Sequence, residues 1–198
     1  GPGVNLKRSP LGGRNFEYYS EDPYLTGKMA TSFINGVQST NVGACIKHFA
    51  LNEQETNRRF VNTIVDERTL QELYLKPFRM AIKDAKPKAI MSSYNKVNGH
   101  YASESSYLLK DVLREQLGFD GIVISDWGAV QDKPKSLKTG MNIEMPGPSE
   151  FDEEVRNALA NGELTEEDID ESLLPLLDLE QHAKLNSNKG KKCDLTLH

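Results

Sequence analysis

The chain comprises 198 residues, 27% charged and 37% hydrophobic, a balance that suits one soluble domain with a sizeable core and excludes low-complexity disorder. A formal net charge of −5 leaves no basic field for a phosphate backbone, and no stretch interleaves Lys or Arg with stacking aromatics. Nucleic acid is therefore not an expected partner, and no apolar run is long enough to suggest a membrane.

Residues 1–6 form a short apolar segment that runs into a loop, residues 7–19, carrying Arg8, Arg14 and Glu17. Asp22 then reads as a helix N-cap with Pro23 at the first position, and Leu25, Met29, Phe33 and Val37 recur at fours as the stripe expected to face the core. Residues 42–49 read as a strand closing on Lys47 and His48, followed by a polar run to Arg59. Residues 60–65 alternate as a half-exposed strand or extended connection. A helix is expected from Asp66, burying Leu70, Leu73, Tyr74, Phe78, Ala81 and Ile82 and kinked at Pro77.

Residues 89–91 make another short strand, leading into Ser92, Ser93, Tyr94 and Asn95. The next helix, from about Ser103, buries Leu108, Leu109, Val112, Leu113 and Leu117 and stops at Gly118. Ile122, Val123 and Ile124 are consecutive and β-branched, the pattern of a strand buried on both faces, and they deliver Ser125, Asp126 and Trp127 at its carboxyl end. Residues 141–145 suggest a last strand closing on Glu144. Ser149 and Thr165 each precede acidic and helically spaced apolar residues, so two helices are expected there, and residues 186–192 read as a polar linker.

Cys45 and Cys193 share no metal-ligand or disulfide spacing and read as a small buried residue and an idle thiol. No cofactor and no metal site is expected. The chain opens at Gly1 without the charged, apolar and small-residue series of a secretion signal; localisation is unassigned, the cytoplasm being the expectation for a chain whose true N-terminus is absent.

Strands alternating with helices, with polar residue types gathered after the strands, argue for an α/β fold with a parallel sheet, most simply a (β/α)8 TIM-barrel-like domain. Four strands and one doubtful one fall short of eight, and such barrels typically run to about 250 residues, so an incomplete barrel portion is expected. Ligands bind at the carboxyl ends of such strands. Those ends supply Arg14, Lys47 with His48, Tyr94, Asp126 with Trp127, and Glu144, a set of charged hydroxyl partners and aromatic platforms that suits a sugar. Each has a plain alternative: Asp126 as a cap for the following segment, Lys47 and His48 satisfied by neighbouring carboxylates, Trp127 as core.

The motifs GPGVN at 1–5, RNFEYYSEDP at 14–23, KHF at 47–49, NEQE at 52–55, DERTL at 66–70, MSSYN at 91–95, SDWGAV at 125–130 and EMPG at 144–147 run in one family's order. On them the chain resembles the barrel domain of glycoside hydrolase family 3 β-glucosidases. The resemblance implies a retaining exo-acting glycosidase that releases terminal β-D-glucosyl residues through a covalent ester on Asp126. It implies Arg14, Lys47, His48 and Tyr94 as hydroxyl partners in the terminal sugar's subsite, with Met91 and Trp127 lining it. Residues 1–185 would then be a barrel portion and 186–198 a linker toward a C-terminal α/β domain that usually brings the acid/base. The substrate implied is a β-linked oligosaccharide or glycoside.

Two departures stand out: the family's sugar-binding Asp on an earlier strand has no counterpart, and Asn142 replaces an Asp common before the EMP run. Alternatives are a β-xylosidase of the same family, a non-catalytic sugar-binding fragment, an aldolase-like lyase with a Schiff base on Lys47, and a metal hydrolase on His48, Glu53, Asp126 and Glu144.

Overall fold

The computed structural model describes residues 1–147 and 152–185. The expected N-cap at Ser149, the linker at 186–198 and Cys193 lie outside the described residues. The chain folds as α1 (Pro23–Gln38), β1 (Cys45–Phe49), β2 (Asn62–Thr63), α2 (Glu67–Thr69), α3 (Lys76–Ala85), β3 (Ala89–Ser92), β4 (Lys96–Val97), β5 (His100–Tyr101), a helix over Tyr107–Gln116, β6 (Ile122–Ser125), α4 (Lys133–Lys138), α5 (Asp152–Asn161) and α6 (Glu166–Leu185).

The central sheet is parallel, in the order β1-β3-β6. Residues 1–4 extend it beyond β1, with Lys47 N donating to Pro2 O and Val4 N to Lys47 O. On the far side, Ile143 bridges Ile124 in parallel, and Ser125 N donates to Ile143 O at 2.9 Å. The expected strand at 141–145 is thus one bridge beside β6. The α/β class and parallel sheet hold, but among the described residues the sheet stays open and no barrel closes. Residues 60–65 contribute β2 to a second small sheet, ordered β2-β4-β5.

Helix α1 begins as expected, the Asp22 carboxylate accepting from Tyr24 N and Leu25 N. Its inner face differs from the expected one. Thr26, Ala30 and Ile34 are buried, whereas Leu25, Met29 and Phe33 are nearly half exposed. The reason is close packing on α3: a Cβ on Gly27 would stand 2.6 Å from Met80 Sδ, so the row of smaller residues is the one that fits. The Gln38 side chain then ties this layer together, donating to Ala85 O at 3.0 Å and accepting from Lys88 N at 3.1 Å.

The segment after Asp66 breaks near Pro77, as expected. A wide turn closes with Leu75 N donating to Leu70 O, and α3 restarts with Pro77 in its first turn. Leu70, Phe78, Ala81 and Ile82 are buried, but Leu73 is 40% exposed and Leu75 takes the inward place. The helix over Tyr107–Gln116 buries Leu108, Leu109, Val112 and Leu113 and ends at Gly118, whose φ of +64° favours glycine. Phe49 and Phe78 meet edge-on, ring centroids 5.1 Å apart, between sheet and helices. Thr165 and Asp168 cap α6 reciprocally.

Candidate active site

The register of the sheet aligns Lys47, Met91 and Ile124 across β1, β3 and β6, so the next residues of each strand emerge at one end. His48, Tyr94 and Asp126 are buried there, Lys47, Met91 and Arg14 are half-buried, and Trp127 is 49% exposed. That exposure removes the core alternative for Trp127 and leaves an indole face open beside Asp126.

The two carboxylate oxygens of Asp126 have different surroundings. Oδ1 accepts from Trp127 N at 2.7 Å, the local capping bond. Oδ2 has no hydrogen-bond partner among the described residues and faces His48 Nε2 at 3.6 Å and Arg14 Nη1 at 3.9 Å. One oxygen fixes the rotamer while the other remains available at the strand end.

Glu17, not singled out from the sequence, organises the two cations. It binds Arg14 Nε and takes Lys47 Nζ at 3.0 Å. Burial pushes its carboxyl up, but the hydrogen bonds from Arg14 and Lys47 outweigh burial and leave it below the usual glutamate value. Lys47 and Arg14 are thus held around one carboxylate, and Lys47 Nζ is engaged by Glu17 rather than set in the apolar pocket of a Schiff-base lysine.

Arg58 and Arg59 were also missed. They lie over the Tyr94 ring, guanidinium carbons 4.6 and 5.5 Å from its centroid, and Arg58 is anchored by Glu55 at 2.7 Å. The signal was present as adjacent arginines after a strand end, but nothing local says that they stack on a tyrosine 35 residues away. Burial first, and then the charge of Asp126, raise the Tyr94 phenol above its ordinary value, so it stays protonated as a donor.

His48 is 1% exposed, and burial, followed by the charges of Arg14 and Lys47, pushes its imidazole down to about 2. The ring is neutral at any working pH.

Glu144 does not join this group. It pairs with Lys133 at 3.2 Å, and Lys133 also binds Asp152, beside a cavity of about 400 Å³ lined by Val130, Ser136 and Met141. The other glutamates are engaged too. Glu53 Oε1 accepts from Asn5 and Leu6 N, and Glu104, buried, accepts from Gln131 N and Asp132 N. His48, Glu53, Asp126 and Glu144 thus do not converge as a ligand set among the described residues.

Comparison with known proteins follows this geometry. The model of the family described as the glycosyl hydrolase family 3 N terminal domain matches residues 1–179. Thermostable beta-glucosidase B of Acetivibrio thermocellus is 48% identical over 199 residues, covering 100% of this chain and 26% of that protein. An exo-alpha-(1->6)-L-arabinopyranosidase of Bifidobacterium longum is 49% identical over 90% of this chain and 24% of its own length. Among solved structures, beta-glucosidase 3B from Thermotoga neapolitana in complex with glycerol superposes with a TM-score of 0.93 at 48% identity, over 99% of this chain and 29% of that one. The chain spans about a quarter of the length of the curated relatives it matches.

Proposed function

Because the chain belongs to glycosyl hydrolase family 3, corresponding to its N-terminal domain, we propose that the protein containing it is a retaining, exo-acting β-glucosidase with Asp126 as nucleophile. The observation that carries this reading is Asp126 Oδ2 at the end of β6, facing His48 Nε2 and Arg14 Nη1, while the Asp126 charge reaches the Tyr94 phenol and Glu17 holds Lys47 beside Arg14. In the first step Oδ2 attacks the anomeric carbon of a terminal sugar. A new C–O ester bond forms as the glycosidic C–O bond breaks, and the leaving oxygen takes a proton from an acid. Water then attacks the anomeric carbon, giving up a proton to the same residue now acting as base, and the bond from that carbon to Oδ2 breaks to release Asp126 as carboxylate.

That acid/base must come within about 5 to 5.5 Å of the nucleophile in a retaining enzyme. Glu53, Glu55, Glu104 and Glu144 are each held by other partners, which supports assigning it to a further part of the protein. Arg14, Lys47, His48 and Tyr94 bind the hydroxyls of the sugar, and Met91 and Trp127 line its ring.

A second reading takes a pentopyranoside as substrate. It is favoured by the arabinopyranosidase, 49% identical to this chain against 48% for the Acetivibrio β-glucosidase, and xylosides fall in the same class. A xyloside differs from a glucoside in lacking the hydroxymethyl group, and an α-L-arabinopyranoside differs also in the configuration at C4.

The test is covalent trapping. A 2-deoxy-2-fluoro glucoside with an activated leaving group should label Asp126 in the full-length enzyme. Asp126→Ala should lose glycosidic cleavage yet keep its thermal transition, with azide restoring turnover of an activated aryl glucoside as the inverted azide. Label on another residue, or wild-type turnover by Asp126→Ala, would discard the assignment. The ratio of glucoside to xyloside and arabinopyranoside turnover separates the two substrate readings.

A further inference from the structure

Residue 5 reaches the site from the opposite end of the sequence order. Asn5 is 1% exposed, and its amide grips the His48 backbone both ways, Oδ1 accepting from His48 N at 2.9 Å and Nδ2 donating to His48 O at 3.1 Å. Oδ1 also stands 3.3 Å from His48 Nδ1. The amide cannot turn over, because that would set Oδ1 against His48 O and Nδ2 against His48 N, and Glu53 Oε1, 3.3 Å from Nδ2, reinforces the same orientation. Glu53 Oε1 is pinned in turn by Leu6 N at 3.3 Å.

This arrangement bears on which imidazole nitrogen carries the proton, which hydrogen-bond partners decide. Asn5 Oδ1 is only an acceptor. The second neighbour of Nδ1 is the Tyr18 hydroxyl at 3.2 Å, which also lies 3.3 Å from Asn52 O and 3.5 Å from Asn52 Nδ2. If Tyr18 donates to Asn52 O, it is free to accept from Nδ1, and both Nδ1 and the Asn52 backbone carbonyl are satisfied. If Tyr18 donated to Nδ1 instead, the buried Asn52 carbonyl would lose its donor and the Nδ1 lone pair would face the Asn5 oxygen. Two acceptors in contact and an orphaned carbonyl make the second arrangement the poorer one.

We propose that Asn5, locked by Glu53, is a positioning residue that holds His48 as the Nδ1–H tautomer, so that Nε2 meets the substrate as a hydrogen-bond acceptor. Nε2 and Asp126 Oδ2 lie 3.6 Å apart, and neither has a hydrogen-bond partner among the described residues. With the proton on Nδ1, the imidazole takes a hydrogen bond from a sugar hydroxyl and donates none to Asp126, leaving the nucleophile's lone pair unquenched. Glu53, which burial raises to about 7, serves in either protonation state, since the same oxygen accepts in both. The identity of the donor as a sugar hydroxyl rests on the glycosidase reading; the tautomer does not.

The test uses the full-length enzyme with ¹⁵N-labelled histidine, the His48 signals being assigned by their loss in His48→Asn. The expected spectrum between pH 5 and 8 shows a protonated Nδ1 and an unprotonated Nε2. Glu53→Gln should preserve it, and Asn5→Ala, which removes the acceptor facing Nδ1, should shift the proton toward Nε2. In kinetics, replacing the hydroxyl that meets His48 by fluorine should lower kcat/KM as much as replacing it by hydrogen, roughly 3- to 10-fold, because fluorine cannot donate. A wild-type Nε2–H signal overturns the proposal even if Asn5→Ala fails to fold. So does a fluoro sugar that retains the activity the deoxy sugar loses. Failure of Asp126 labelling alongside the expected tautomer would strike the glycosidase reading and leave this one standing.

Discussion

Burial, with the charges of Arg14 and Lys47 behind it, holds the His48 imidazole down to about 2, and burial raises Glu53 to about 7, so two neighbouring groups pull stability in opposite directions with pH. Relative to ordinary values of 6.5 and 4.5, the unfolded chain binds the extra proton at His48 as pH falls from about 6.5, and the folded chain binds the extra one at Glu53 up to about 7. The contribution of His48 is therefore lost on acidification, by at most about 1.4 kcal/mol per pH unit, and that of Glu53 is lost as pH rises through about 7. Between about 4.5 and 6.5 the slopes oppose; below that window His48 acts alone. Thermal melts across pH should show a shallower acid-side decline for His48→Gln than for wild type, and a flatter response near neutrality for Glu53→Gln. Parallel curves for wild type and His48→Gln below pH 4.5 would show that the imidazole is not held neutral.

At the level of elements, α1 carries two apolar rows one residue apart, and only packing on α3 decides between them. Ile34 is fully buried and Phe33 is 47% exposed. Ile34→Ala should lower the unfolding free energy by roughly 2 to 5 kcal/mol, while Phe33→Ser should stay within about 0.5 kcal/mol, as read by chemical denaturation. Equal losses at both positions would mean that a further segment covers the outer row. The helix α4 was missed altogether, although Asp132 caps it, accepting from Lys135 N, and Pro134 stands in its first turn. Asn142, the departure from the family pattern, has a structural task here. Its Oδ1 accepts from Val123 N at 2.6 Å and Arg114 Nη2 at 3.2 Å, and its Nδ2 donates to Ser172 O at 2.6 Å, tying β6 to α6. An Asp at this position could keep the first two bonds but would turn an oxygen toward the Ser172 carbonyl.

On the scale of the molecule, the sheet of the described residues stays open and ends in single bridges, Gly3 with Tyr18 on one side and Ile124 with Ile143 on the other, and sparsely paired edges template association unless covered. The 198-residue chain by itself is expected to aggregate and to leave cellobiose untouched, since loss of general acid assistance forfeits roughly 10² to 10⁴ in rate. An activated dinitrophenyl glucoside, whose leaving group needs no proton, should still trap one equivalent on Asp126. A monodisperse 198-residue chain that turns over cellobiose at ordinary enzymatic rates would place the acid/base inside it, and light scattering with a glucose-release assay decides the point.

The amino-acid sequence by itself determined the main order of strands and helices (α4, β4 and β5 excepted), the parallel sheet, and most of the residues gathered at the strand ends, because β-branched runs and cap residues are local signals and the polar residues follow them directly. The family was equally legible, carried by motifs in a fixed order along almost the whole chain. Only the tertiary structure decided which partner each polar group takes: Glu17 between Arg14 and Lys47, Arg58 over Tyr94, Asn5 against His48 across 43 residues of sequence. It also decided which row of α1 lies inside. Such choices depend on distances between segments remote in the chain and on how closely two helices can approach, and neither quantity is written in periodicity.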